Sequence, residues 1–492
     1  MPKGRNELLP MAAALPFDVD VVVTNGCEHT AGESLADPSG AWPKVLAEAL
    51  GARLVDLSEP GGSNHRLVRT TVTGLPAIMA EHGDPRRVLF VGMWTHPDRF
   101  EVIGGRPVSS RIRWRRFNDR PWHQVTSERA RDADRRSEAW YRIYRPLLGA
   151  IEVHLWALLL ERWLSDLGCR SVQCAAVDLT EGVDDSFAEY RCQMRNGAYL
   201  GGADRWVLEP LWGGGRSPDA AGHRAFVWER LLPWLTGQAV ASPCPARSES
   251  ATGDPRRVKV VVANGDSNTW GDEHANPART TWAAVLAERL GADLVNLAEQ
   301  GGSNHRLVRT TVEHLPRILD ERSLDPDEVL FVGMWTIRHR FEVIWDWAQK
   351  VNVHDPGFTD RPWHRIGTYL LARGHEPSTV WYQDLEDRQS GIIDLLLSSV
   401  LLDRWLASTG CRHAQALAYD VLQDRPGEAA QLAGQLRPGS RVGGAEWSRQ
   451  ALYSLLESRA DLAPGGHLRE ASHRAYVDEH LLPWLRSSGL VP

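Results

Sequence analysis

Lysine is nearly missing from this chain of 492 residues. It occurs only at Lys3, Lys44, Lys259 and Lys350, and arginine supplies almost all the positive charge. The net charge is −7, so no global positive field draws in nucleic acid, which speaks against it as a partner. No apolar run approaches the length of a membrane span, so no membrane segment is expected. The opening stretch MPKGRNELLPMAAALPFD is too broken by proline for a good signal peptide, and a cytoplasmic location is expected. The six cysteines lack metal-ligand spacing. Cys169 and Cys411, each in a GCR turn, read as buried free thiols. There is no phosphate-binding GxxxxGKS or GxxxxGKT loop and no CxxC pair, and the neighbouring His and Glu residues are not spaced as metal ligands. Neither a cofactor nor a metal is expected.

The chain repeats itself instead. GGSNHRLVRTTV stands at 61–72 and again at 301–312. VLFVGMWT at 88–95 returns at 329–336, DRPWH at 119–123 returns at 360–364, and LLPWL at 231–235 returns at 481–485. The offset of about 240–250 residues is far longer than a solenoid period, so each copy is a whole domain. We expect an N-terminal tail over 1–18, a first domain over 19–237, a linker over 238–257 and a second domain over 258–492. The linker is rich in Pro, Ser and Ala.

Each copy alternates strand and helix. In the second, VKVVVAN at 258–264 is a β-branched run suited to a buried parallel strand. A helix over 280–291 closes on glycine, and a second strand spans 292–298. The next helix, 305–319, has Ser303 or Asn304 as its cap. A third strand (327–336) leads into a long irregular insertion, about 337–377. A long helix (383–409), a strand within 410–420 and a helix over 470–486 complete the copy. Such alternation gives an α/β fold, a parallel sheet covered by helices on both faces, twice over.

The copies differ where chemistry would sit. The second opens with GDSNTWG at 265–271, where the first has GCEHTAG at 26–32. Glu28 thus replaces Ser267. Near the end, Ser217 replaces His467. A serine and a histidine are lost together, which suggests that they work together.

GDSNTWG after a β-run, a glycine loop after the second strand and a histidine before the last helix together resemble the SGNH (GDSL) hydrolases. The resemblance implies two tandem flavodoxin-like three-layer α/β/α domains, the first degenerate. It implies Ser267 as nucleophile, His467 as base, and the N–H groups of Ser267 and Gly301 as oxyanion donors. The family's third block, G-x-N-D, is absent: the aligned stretch is Gly333-Met334-Trp335-Thr336. Asn304 is the candidate substitute donor, or a helix cap. The family's acid three residues before the histidine is replaced by Pro464. Asp461 is the nearest acid on that side, and a Ser–His dyad is the alternative.

Further residues are expected to line the substrate pocket: Asp266, Gly302, Thr336, Trp335, Arg340 and Trp363. Arg340 would grip a carboxylate or phosphate, or pair with Glu342. The insertion, with Trp345, Trp347, Trp363 and Trp381, would form a lid or acyl-binding wall. His473 has a counterpart in His223, which argues for a structural role. The arginine-rich stretch from Arg111 to Arg136 is a solvated loop or a patch for an anionic partner.

These readings converge on a serine-dependent hydrolase or acyltransferase. It would act on an ester or thioester through an acyl-Ser267 intermediate, with a non-catalytic first domain. The partners expected are a small-molecule or carrier-bound acyl substrate and a second copy of the chain as a homo-oligomer, and the first domain would serve as scaffold, dimerisation surface or partner-docking module. The alternative is a non-enzymatic binding protein for a small molecule, a carrier protein or RNA.

Overall fold

The computed structural model describes residues 15–103, 122–180, 183, 188–203, 206, 218–237, 257–344, 363–371, 373–422, 427–444, 447, 451–456, 462–464 and 466–492. Most of the expected linker, the stretch Arg111–Arg120, Trp345, Trp347, Ser217 and Asp461 lie outside them.

In the first copy, strands β1 (Val21–Asn25), β2 (Arg53–Asp56) and β3 (Val88–Trp94) join a fourth long strand, Arg170–Ala175. Between them in sequence lie β4 (Phe100–Ile103) and β5 (Trp122–Val125), a separate pair, so the Arg170–Ala175 strand is β6. The main sheet runs β2-β1-β3-β6, all parallel. The second copy repeats this with β7 (Val260–Asn264), β8 (Asp293–Asn296), β9 (Val329–Trp335) and, after the antiparallel pair β10 (Phe341–Ile344) and β11 (Trp363–Ile366), β12 (Arg412–Leu417). Its order is β8-β7-β9-β12, again all parallel. The two α/β sheets of the sequence reading are therefore present.

Alternation along the strands builds the layers. Val261, Ala263, Leu330, Val332, Met334, Ala414 and Ala416 pack with the helix Trp282–Leu290 and the C-terminal helical segment around Leu481 and Leu485. The helices Asn304–Glu321 and Arg388–Thr409 serve the other face. Asn264 donates there to Leu307 O (3.1 Å), Thr310 Oγ1 and Thr311 Oγ1 (both 2.9 Å). Gln415 accepts from Ser399 Oγ at 2.5 Å on the same side.

Local sequence sets the helix ends. Ser303 caps the helix Asn304–Glu321 by accepting from Arg306 N at 3.0 Å. Thr281 caps Trp282–Leu290, and Gly291, left-handed at φ 60°, ends it.

The expected irregular insertion differs from the structure, because β10 and β11 pair within it. Each is only four residues long, too short for alternation to reveal.

The chain clusters into two compact units, residues 1–101 with 149–248 and residues 102–148 with 249–492. The insertion of the first copy is thus counted with the second unit. Arg135 pairs there with Asp384 at 2.5 Å, and Arg142 pairs with Glu376 at 2.9 Å. Ser390 Oγ accepts from Ile103 N at 2.8 Å. The shared motifs gave no sign of this exchange.

Among the described residues, no single helix is long and apolar enough to cross a membrane. Cys169 and Cys411 are buried, free thiols, and burial raises the Cys169 pKa to about 12.

Candidate active site

The strand order reverses between β7 and β9, and ligands of open parallel sheets gather at the carboxyl ends of strands at such a point. The turn Gly265-Asp266-Ser267 follows β7 at this edge. Ser267 opens a one-turn helix, Ser267–Trp270, and is buried.

His467 reaches it from the other end of the chain. The loop carrying His467 is pinned by a bridge between Leu462 and Leu468 and by a bond from Ala463 N to His467 O at 2.8 Å. His274 meets Leu468 O at 3.0 Å and holds the same loop to the segment that follows β7. The result is a hydrogen bond between Ser267 Oγ and His467 Nε2 at 3.0 Å.

The acid is Glu273. Its Oε2 lies 2.8 Å from His467 Nδ1. The chain Ser267–His467–Glu273 requires Nδ1–H to donate to the carboxylate, which leaves Nε2 free to accept from the serine. Glu273 holds a left-handed φ of 63°, a strained conformation for a side chain of its size. Asp461, the acid expected from the sequence, lies outside the described residues; the described acid takes the place that the dyad alternative left vacant. Alignment of the two copies contains the missed signal. Ser34 stands where Glu273 stands, so serine, histidine and acid are all replaced in the first copy.

Several residues expected in the pocket have other duties. Asp266 is fully buried. Its Oδ2 accepts from Thr336 Oγ1 at 2.5 Å and from Arg340 Nη1 at 3.0 Å, and its Oδ1 accepts from Asn268 N at 3.0 Å. Asp266, Thr336 and Arg340 therefore tie the ends of β7 and β9 together, and Arg340 is already neutralised. Glu342, the other partner considered for Arg340, instead binds Arg309 Nε at 2.8 Å and meets His305 Nδ1 at 2.9 Å.

Asn304 bridges backbone rather than facing the serine. Its Nδ2 donates to Thr336 O at 3.2 Å, and its Oδ1 accepts from Thr336 N at 2.8 Å. Asn64 makes the same pair of bonds to Thr95, both 2.8 Å, in the copy without the serine. Gly302 serves close approach: a Cβ there would lie 2.8 Å from Gly265 O. Trp335 is wholly buried and donates to Gln415 Oε1 at 2.7 Å. Trp363 is buried under the guanidinium of Arg309, 4.0 Å above its ring. Trp381 stacks on Phe341 at 4.4 Å. The alternating apolar pattern cannot distinguish such core aromatics from a lid.

Gly301 stands beside the site with φ 67°. A Cβ there would collide with Tyr369 Oη, so this tyrosine of the insertion lies over the loop. In the first copy the N–H of the equivalent Gly61 donates to Glu28 Oε2 at 3.1 Å.

Other neighbours escaped the sequence reading. Asn268 donates to Tyr419 Oη at 3.2 Å and accepts from Tyr453 Oη at 2.9 Å. The two tyrosine rings stack at 4.5 Å, and burial raises both phenol pKa values. Tyr419 stands where the first copy has Val177. His473 accepts from Trp282 N at 2.9 Å, and His223 accepts from Trp42 N at 3.2 Å, so both act in the framework.

Fold and site together define a parallel α/β protein with a hydrogen-bonded Ser–His–Glu chain at one sheet edge. The chain belongs to DUF6071, a family of unknown function, whose model matches residues 25–202 and 266–492. No curated protein matches it. It is similar to the crystal structure of TesA at 13% identity, over 47% of this chain and 99% of that one, with a TM-score of 0.26. It is also similar to a member of the lipolytic protein G-D-S-L family from Veillonella parvula DSM 2008, at 14% identity over 46% and 99% of the two chains, with a TM-score of 0.24.

Proposed function

We propose that the second copy is a serine-dependent hydrolase or acyltransferase acting on an ester or thioester, and that the first copy is its non-catalytic scaffold. The observation that carries the reading is the unbroken path from Ser267 Oγ through His467 to Glu273. In this account Ser267 Oγ attacks the acyl carbon while His467 Nε2 takes its proton. Glu273 stabilises the imidazolium that forms and fixes its tautomer. The N–H groups of Ser267 and Gly301 receive the oxyanion, a role suggested by the bond from Gly61 N to Glu28. The imidazolium then protonates the leaving alcohol or thiol, and an acceptor releases the acyl group from Ser267.

Arg340 is bound to Asp266 and so is not free to select an anionic acyl group. A small-molecule or carrier-bound acyl donor fits the account, in a cytoplasmic protein able to self-associate. The test is hydrolysis of p-nitrophenyl acetate by the full chain. Ser267→Ala is expected to remove turnover; equal turnover by the variant and the native chain would refute the proposal.

A further inference from the structure

A second carboxylate stands at the reactive nitrogen of His467. Asp272 Oδ2 lies 3.7 Å from His467 Nε2, whereas Glu273 binds the other ring nitrogen. Asp272 is fixed through its other oxygen, which accepts from Gln300 Nε2 at 2.5 Å and from Glu273 N at 3.2 Å. Its side chain is 29% exposed, so solvent reaches it. At 3.7 Å, Oδ2 is too far from Nε2 to bond it, and Nε2 already meets Ser267 Oγ.

Two acceptors, Nε2 and Oδ2, therefore flank the place from which an acceptor would approach an acyl group on Ser267. We propose that Asp272 binds the acceptor in the deacylation step and selects it by the number of hydrogens on its attacking atom. This rests on the acyl-Ser267 reading. Water and primary amines carry two such hydrogens; one goes to Nε2 and the other to Oδ2. Alcohols and thiols carry one, which goes to Nε2 alone. As the acceptor's O–C or N–C bond forms, the bond from the acyl carbon to Ser267 Oγ breaks. The proton taken by Nε2 passes to Oγ, and the hydrogen on Oδ2 stays with the product. The site thus favours transfer to water or a primary amine over transfer to an alcohol or thiol. The carboxylate also repels anionic acceptors.

The experiment uses the full chain, with p-nitrophenyl acetate as donor and hydroxylamine or methanol competing with water. Acetate, acetohydroxamate and methyl acetate are measured for the native protein, Asp272→Ala and Asp272→Asn. Stoichiometric adduct formation with an organophosphonate verifies a folded site in each variant. Asp272→Ala is expected to lower transfer to water and hydroxylamine, relative to methanol, by about 10- to 100-fold, the size of one charge-assisted hydrogen bond. Asp272→Asn keeps an acceptor oxygen and should recover part of the loss. A partition ratio that stays at the native value in both variants would overturn the inference alone. Failure of the native chain to form any adduct at Ser267 would remove the serine-hydrolase reading and this inference with it.

Discussion

Arg99 holds Glu28 through two hydrogen bonds, each 2.7 Å, at the turn where the second copy places Ser267. Its counterpart Arg340 binds Asp266, one residue earlier. The carboxylate has moved one position along the chain, from 266 to the equivalent of 267, and Cys27 has taken the vacated place. Burial alone would raise the Glu28 pKa, but the hydrogen bonds and charge of Arg99 hold it at about 2. Glu28 also takes the amide of Gly61, so under the proposed function the first copy fills with its own side chain the place assigned to the oxyanion.

This exchange predicts a compensating pair. Glu28→Ser leaves Arg99 without its carboxylate and should destabilise the protein by about 3 kcal/mol or more, as expected for a broken buried ion pair. Cys27→Asp combined with Glu28→Ser should recover most of that loss in urea unfolding. An additive double variant would show that the ion pairs are not interchangeable.

Glu273 should matter to turnover out of proportion to stability. Glu273→Gln is expected to lower kcat on the order of 10²- to 10⁴-fold, as loss of the orienting carboxylate does in serine enzymes. KM should change little. His467→Ala should lower kcat on the order of 10³-fold or more. Native-like turnover in Glu273→Gln would return the acid's role to Asp461 or to a dyad.

Asn304 should behave as a framework residue. Asn304→Ala and Asn64→Ala each remove the same pair of bonds to the end of the third strand. Each should cost about 1–3 kcal/mol, the price of leaving buried backbone groups unpaired. If Asn304→Ala instead lowered kcat with unchanged stability, Asn304 would belong to the oxyanion site.

Acid should weaken the second unit through His473. Burial, then the neighbours His274 and His467, lower its pKa to about 3. Above pH 6.5 the folded and unfolded states both hold it neutral, and it adds no pH dependence. Between pH 6.5 and about 3 only the unfolded state takes the proton, so stability falls as pH falls. The slope from this residue is about 1.4 kcal/mol per pH unit. Urea midpoints measured from pH 7 to pH 4 should fall less steeply in His473→Gln. Parallel curves would contradict the account.

The strand and helix order was legible because β-branched runs, amphipathic helices and glycine stops mark it locally. Ser267 and His467 were legible because their replacements could be seen in the other copy. Glu273 shows the same replacement, by Ser34, but the resembling family carries its acid beside the histidine, on the side of Asp461. The duties of Asp266, Arg340 and Thr336 depend on which strand ends meet, which residue type and spacing do not encode. Trp335 and Trp363 illustrate the same limit, since an aromatic in a core and one in a pocket look alike in sequence. The placement of residues 102–148 in the second unit rests on contacts such as Arg135–Asp384, which link positions distant in the chain.

The most direct measurement is peptide mapping by mass spectrometry after treating the full chain with a fluorophosphonate. The account predicts a single adduct on the peptide containing Ser267, none on any peptide of the first copy, and loss of the adduct in Ser267→Ala and in His467→Ala. An adduct at another serine, or none in the native protein, would contradict it.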